Sequence, residues 1–451
     1  MQHLMLVHLG PVQEFIASAR RSRDLWFGSW LLSELSKAAA LAIVEQEGGS
    51  LDCLIFPAPA TKTELAPDSD FNAANKIVAI ARTSPTSLGS QVEGAIPCRL
   101  ADIKLQAFKQ ISGPILEDAA EQQVQDLPEF FWAAYPFADE ASYPLIRAQA
   151  EALLAARKST RDFGRVQWGA LAPKSSLDGT REAVLNESAY VTPEERQDET
   201  IRRQKVLALY RHYGAGPAER LSGVDLLKRH GRPGWQARFP STSHISALPL
   251  LKALEQIDNA RALWIEYMKL FPPVLIKQER VPARFSHSIL KRADGSLLFE
   301  SRLAEILEDQ GQNLQKQVAQ ELQDFLNKTT GGQTPLPYYA ILLADGDRMG
   351  EVIEAQDEPE KHRAFSRALN DFAKKVRSIV EEQYGGALVY AGGDDVLAFV
   401  PLHMAISCAV DLAETFRRQL SGFSSGAGQS PTLSAGIAIS HHLEPLSDAL
   451  D

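Results

Sequence analysis

The chain has 451 residues, 45% hydrophobic and 23% charged, which implies two or three domains with real cores and excludes a disordered chain, a collagen-like fibre or a disulfide scaffold. With 47 basic against 57 acidic residues the formal charge is −10, so polynucleotide contact requires a local basic patch or a partner subunit. Cys53, Cys98 and Cys408 lie far apart with no CxxC pair, and apolar runs such as Leu4 to Leu9 stop early; a reducing cytoplasm and no membrane contact are expected.

Residues 3–9 (HLMLVHL) read as a buried strand. Gly10-Pro11 fixes the turn into a helical region from Val12 to about Glu47, where Phe15, Ile16, Ala19, Trp26, Trp30, Leu31 and Leu35 recur at helical spacing. Gly48-Gly49 ends it. Strands are predicted at 51–56 and 75–81, a helix at about 101–125 and a strand at 128–135. That order, β-α-β-β-α-β, is ferredoxin-like. The middle, 145–330, reads as mostly helical, with Arg202, Arg203, Lys205 and Arg211 expected either on solvated helix faces or against RNA or a partner. After Gly331-Gly332 a buried strand at 338–344 runs into Asp345-Gly346-Asp347-Arg348-Met349-Gly350. A helix at about 359–384, strands at 387–391 and 396–400, a helix at about 402–420 and a strand at 432–440 follow. The same topology therefore recurs, and the fold class is α+β with two ferredoxin-like units around a helical middle.

Asp345 and Asp347 end the first strand of the last segment, and Gly392-Gly393-Asp394-Asp395 forms the hairpin tip that this topology sets beside it. Four carboxylates converging on one sheet end repel one another and call for Mg²⁺ or Mn²⁺. Two such cations suit in-line phosphoryl displacement. Gly346, Gly392 and Gly393 let the backbone approach phosphates closely. Either motif alone is an ordinary turn; the two together, each at the end of a buried strand, point to a metal–nucleotide site. The first segment has His8-Leu9-Gly10 at the matching strand end and Phe56-Pro57-Ala58-Pro59 in its hairpin. It reads as catalytically empty, completing a cleft, with neither His3 nor His8 a metal ligand.

The chain resembles the large polymerase/cyclase-like subunit of type III CRISPR effector complexes, nearest the Cmr (type III-B) branch. The resemblance rests on Gly10 to Ile16 (GPVQEFI), Arg23 to Trp26, Lys174 to Ala183 (KSSLDGTREA), Leu226 to Arg229, Phe239 to Thr242, Asp345 to Gly350, the GGDD at 392–395 and Ser434 to Ala438. It implies two palm domains, 1–144 and 331–451, flanking 145–330, and synthesis of cyclic oligoadenylates from ATP when guide RNA, target RNA and the other subunits are assembled. Asp345, Asp394 and Asp395 would hold the metals with Asp347 close by. Gly346, Gly392, Gly393 and Ser434 would line the ATP site. The Arg20-Arg21-Ser22-Arg23 stretch is expected either to touch the guide RNA's 5′ end or an adjoining subunit, or to be a solvated face.

Three departures from the pattern shape the expectations. The first palm begins at residue 1 and no His-Asp dipeptide occurs, so no HD nuclease domain and no single-stranded DNase activity of that type are expected. Lys174 to Gly179 stands where relatives often carry a CxxC zinc element, so that finger is expected to be degenerate. A C-terminal helical domain is expected to be absent after the second palm. Two other readings stay open: a scaffold subunit that positions guide and target RNA without making product, and a GGDEF-like cyclic dinucleotide synthase.

Overall fold

The computed structural model describes the chain except for residues 161–171, 233–238, 308–309 and 451, and except for the side chains of Val274, Lys277, Gln278 and Ser447. The first unit runs β1 (Gln2–Gly10), α1 (Gln13–Ala17), α2 (Ser22–Gln46), β2 (Leu54–Phe56), β3 (Lys76–Ala81), α3 (Pro85–Phe108), α4 (Glu117–Gln125) and β4 (Glu129–Phe137). Helix α5 (Tyr143–Ser159) leads to the middle helices α6 (Glu199–Tyr213), α7 (Gly223–His230), α8 (Thr242–Leu254), α9 (Ala260–Met268), α10 (Pro273–Gln278), α11 (Glu300–Ile306) and α12 (Gln312–Thr330). The last unit runs β5 (Tyr338–Asp347), α13 (Met349–Glu354), α14 (Pro359–Arg377), β6 (Ala387–Gly392), β7 (Asp395–Pro401), α15 (Ala405–Gln419), β8 (Thr432–His441) and α16 (Leu446–Leu450). The sheets have strand orders β2-β3-β1-β4 and β6-β7-β5-β8, both antiparallel, so the expected double ferredoxin-like topology is present.

Boundaries differ where local chemistry intervenes. The stretch expected as one helix at 101–125 is two, separated around Gly113-Pro114, where proline cannot supply a helical N–H. Leu51–Cys53 is a 3₁₀ turn capped by Ser50, whose hydroxyl accepts from Asp52 N at 3.2 Å, so β2 keeps three residues. The helix predicted to reach Tyr384 turns π-helical over Ser378–Gln383 and ends at Gly385, φ +66.

Periodicity predicts one apolar stripe on α2, whereas the helix is buried almost all round. Its Trp26, Leu31 and Leu35 share a core with Val7 and Leu9 of β1 and with Tyr339, Ile341 and Phe399 of the second sheet. Ser22–Gln46 is long and apolar enough to cross a membrane, and 78% of its most apolar stretch is buried inside the protein, as a core helix demands. Helix α5 covers the opposite face of the first sheet, setting Tyr143, Ile146, Ala150 and Leu154 on Leu4, Leu6, Ile55 and Val78. In the second unit α14 and α15 cover one face, with Phe365, Leu369, Phe372 and Phe416 against Leu342, Ala344, Val396 and Ala398.

The β2–β3 connection is a strap onto the second unit rather than a hairpin tip. Ala58 N donates to Ser366 Oγ at 3.0 Å, Asn370 Nδ2 to Ala58 O at 3.0 Å, and Asn72 Nδ2 to Ala391 O at 2.9 Å.

The middle helices dock on the first unit through buried charge that reaches into the arginine stretch. Arg229 makes a two-pronged pair with Asp24, 3.0 Å on each arm, and meets Glu219 at 3.1 Å. Arg21 lies 3.8 Å from Glu219 and over the Tyr210 ring, while Arg23 Nη2 donates to Gly231 O at 2.6 Å. Arg21 and Arg23 are therefore tied to the acids and carbonyls of 210–231, with Arg21 still keeping 38% of its side chain exposed; Arg20 is exposed. In the Lys174 to Gly179 turn, Ser175 Oγ donates to the buried Asp225 at 2.6 Å and accepts from Leu177 N at 3.0 Å. A hydrogen-bonded knot stabilises that turn.

Candidate active site

The site grows from two neighbouring strand ends. β5 continues through Asp345 and Asp347, paired in register with Ser434 and Thr432 of β8. On its other side Ala344 pairs with Val396 of β7, so one step further along Asp345 and Asp395 lie opposite each other and share a sheet face. Gly392 pairs with Asp395, leaving Gly393-Asp394 as a two-residue tip, and Gly393 takes the positive φ, +65°, that such tips require. Asp394 folds back onto β5. A Cβ on Gly346 would stand 2.7 Å from the Asp394 Cβ and 2.7 Å from Met349 Cγ, so only glycine allows this approach. The chain thus brings Asp345, Asp394 and Asp395 together from motifs far apart in sequence.

Their electrostatics are those of carboxylates without a counterion. Burial, then the charge of Asp345, pushes Asp394 up to about 6. Asp395 reaches about 7 through desolvation, a hydrogen bond with Asp345 and the charges of Asp394 and Asp345, even though its side chain still meets solvent. No ion pair reaches any of the three among the described residues. Asp345 and Asp395 are hydrogen-bonded to each other, and among the described residues no set of three His, Cys, Asp or Glu side chains is already in metal-binding array. The donor set is nonetheless all hard oxygen, which fits Mg²⁺ or Mn²⁺ once Asp394 and Asp395 are ionised.

Asp347 is turned away from this trio. It accepts from Thr432 Oγ1 at 2.6 Å and Ser434 Oγ at 2.7 Å, and these two bonds hold its carboxyl below the ordinary range. Ser434 is therefore engaged with Asp347, and Thr432, unnoticed in the sequence, is its equal partner. The alternation Thr432-x-Ser434 on a strand facing an acid was the available signal. Tyr390 is a second omission: its hydroxyl donates to Gly392 O at 3.1 Å beneath the tip, and burial with the charges of Asp395 and Asp394 drives its phenol up.

The matching end of the first sheet carries cations. Lys158 Nζ lies 3.2 Å from His8 Nε2, Lys76 pairs with His8 across the ladder, and burial plus these lysines lower His8 to about 4. Glu129 stands opposite Gly10.

Residues 338–451 match the model of the Cas10/Cmr2 second palm domain, and residues 4–162 match that of the N-terminal region of CRISPR-associated protein Cmr2. The chain belongs to the Cas10/Cmr2 family. It is 24% identical to the CRISPR system Cmr subunit Cmr2 of Pyrococcus furiosus, in an alignment covering 99% of this chain and 58% of that protein. This Cas10/Cmr2 chain thus spans little more than half the length of that curated relative. The type III-B Cmr-beta structure in the apo state superposes with a TM-score of 0.65 at 13% identity, over 99% of this chain and 66% of that one. The Cmr-beta structure bound to cognate target RNA gives 0.64 at 14% identity, over 100% and 67%. These likenesses bear out the double-palm fold.

Gly346→Ala tests the geometry directly. The added methyl displaces Asp394 or Met349, so Mn²⁺ binding should weaken by about tenfold or more, as when groups that orient ligands are removed. Unchanged affinity in a titration followed by electron paramagnetic resonance would refute the close packing of the two motifs.

Proposed function

We propose that this protein makes cyclic oligoadenylate second messengers from ATP in the cytoplasm, as a nucleotidyltransferase activated by target RNA within a type III CRISPR ribonucleoprotein. Its partners are then guide RNA, target RNA and the other subunits. The observation that carries the reading is the convergence of Asp345, Asp394 and Asp395, uncompensated by any cationic side chain among the described residues, in the second palm of a Cas10/Cmr2 chain.

The chemistry that Mg²⁺ or Mn²⁺ supplies when bound is neutralisation of phosphate charge and activation of a ribose hydroxyl. The chain's own residues do the rest. Asp345, Asp394 and Asp395 hold the cations. Gly346, Gly392 and Gly393 present backbone, without a side chain, to the triphosphate. Asp347 stays ionised, fixed by Thr432 and Ser434 on the strand that borders the site. One ATP 3′-hydroxyl then attacks the α-phosphorus of a second ATP in line with the departing pyrophosphate.

The scaffold reading keeps the RNA partners and omits the product. A GGDEF-like synthase acting as a separate homodimer is disfavoured by two palms in one chain and by Val396 directly after Asp395. Labelled ATP and labelled GTP, each incubated with the reconstituted complex with and without target RNA, separate the three. Adenylate products that appear only with target RNA support the proposal. GTP-derived dinucleotides support the synthase, and no product from either supports the scaffold.

Cation binding must also expel the protons that desolvation and neighbouring charge keep on Asp394 and Asp395. Mn²⁺ affinity should therefore strengthen as pH rises through 6 to 7, where Asp394 and Asp395 titrate. An affinity that is flat from pH 5.5 to 8 would contradict the raised carboxyls of Asp394 and Asp395.

A further inference from the structure

Arg147 of α5 reaches the catalytic loop from outside the second sheet. Only 4% exposed, it spends its guanidinium on main-chain carbonyls at the end of α13. Nη1 donates to Ile353 O at 2.9 Å and Gln356 O at 3.0 Å, and Nη2 to Glu354 O at 3.1 Å. Gln356, itself buried, closes the same end by donating Nε2 to Val352 O at 2.7 Å. Helix ends leave carbonyls without internal partners, and a six-residue helix is too short to hold itself. Arg147 therefore anchors α13.

What α13 carries is the active-site loop. It begins directly after Asp347, with Arg348 at φ +58, and its first residue, Met349, packs on Gly346 beside Asp394. Arg147 is in turn held on a buried platform. Its guanidinium lies 5.4 Å from the centre of the Tyr143 ring, and the Tyr143 hydroxyl is 2.7 Å from His362 Nδ1 on α14. The contacts are continuous from α5, the helix that covers the first sheet, through Arg147, α13, Met349 and Gly346 to Asp394.

We propose that Arg147 is a positioning residue for the carboxylate site, so that metal binding in the second palm depends on a helix packed on the first. This rests on reading Asp345, Asp394 and Asp395 as the metal site. The test uses the full chain with Mn²⁺ as probe, read by electron paramagnetic resonance, together with hydrogen exchange of amides 346–356. Arg147→Ala should weaken Mn²⁺ binding by about tenfold and speed exchange across α13. Arg147→Lys should recover part of both, because one ammonium cannot reproduce the guanidinium fork. Arg363→Ala is the control. Arg363 is also buried and joins the two units through Leu54 O and Asp52 O, so its loss should lower the thermal midpoint without changing either readout. Unchanged exchange and Mn²⁺ affinity in both Arg147 variants, or an equal loss of affinity in Arg363→Ala, overturns the proposal. If Arg147→Ala does not fold, the lysine variant carries the test. A wild-type chain that binds no Mn²⁺ defeats the metal-site reading instead, while exchange across α13 still reports on the anchor.

Discussion

Replacing Asp394 and Asp395 together by asparagine should lower oligoadenylate synthesis by at least about a thousandfold, the scale lost when charge neutralisation is removed from phosphoryl transfer. Target-RNA binding by the complex should be unchanged, because both residues sit at or next to a two-residue hairpin tip and pair with no cationic side chain. Stability should respond in the opposite sense to activity. Both carboxyls titrate above their ordinary 3.8, near 6 and 7, so across that window the folded chain keeps protons that the unfolded chain has released. Rising pH therefore destabilises the metal-free wild type between these values, and the contribution disappears in the double variant. Thermal midpoints from pH 4 to 8 without added metal should decline in the wild type and vary less in the variant. Full synthesis by the variant would remove the carboxylates from the chemistry.

The second large effect is structural. Arg229→Ala should cost about 3–5 kcal/mol, because it strands the buried Asp24 without its partner and leaves Glu219 only Arg21, 3.8 Å away. Asp24 is fully buried, and Arg229 keeps 3% of its side chain exposed. Burial alone would raise Glu219, yet Arg229 and Arg21 hold it down to about 2. Its stabilising contribution is thus complete above the ordinary 4.5 and is lost as pH falls toward 2. Denaturant unfolding of the full chain measures the loss. A change below about 1 kcal/mol, the range of exposed pairs, would show the network to be solvated.

The sequence by itself determined the repeated β-α-β-β-α-β order and the two motifs of the site. Strand burial, helical spacing and Gly-Gly-Asp-Asp between two apolar runs are short-range patterns, and each is written within ten to twenty residues of chain. The pairing of Asp345 with Asp395 followed from topology, since the first and third strands of this order are neighbours. The tertiary structure decided what depends on partners distant in sequence. A basic run looks the same whether it faces solvent or Asp24 and Glu219, because desolvation and pairing are set by residues some 200 positions away. Asp347 and Asp345 read alike as adjacent acids, yet Asp347 takes the hydroxyls of Thr432, its partner in register, and Ser434, one pair along, and Asp345 bonds with Asp395. Arg147 carries no local signal at all. Its three acceptors are main-chain carbonyls, which every sequence possesses, and only the packing of α5 against α13 selects them.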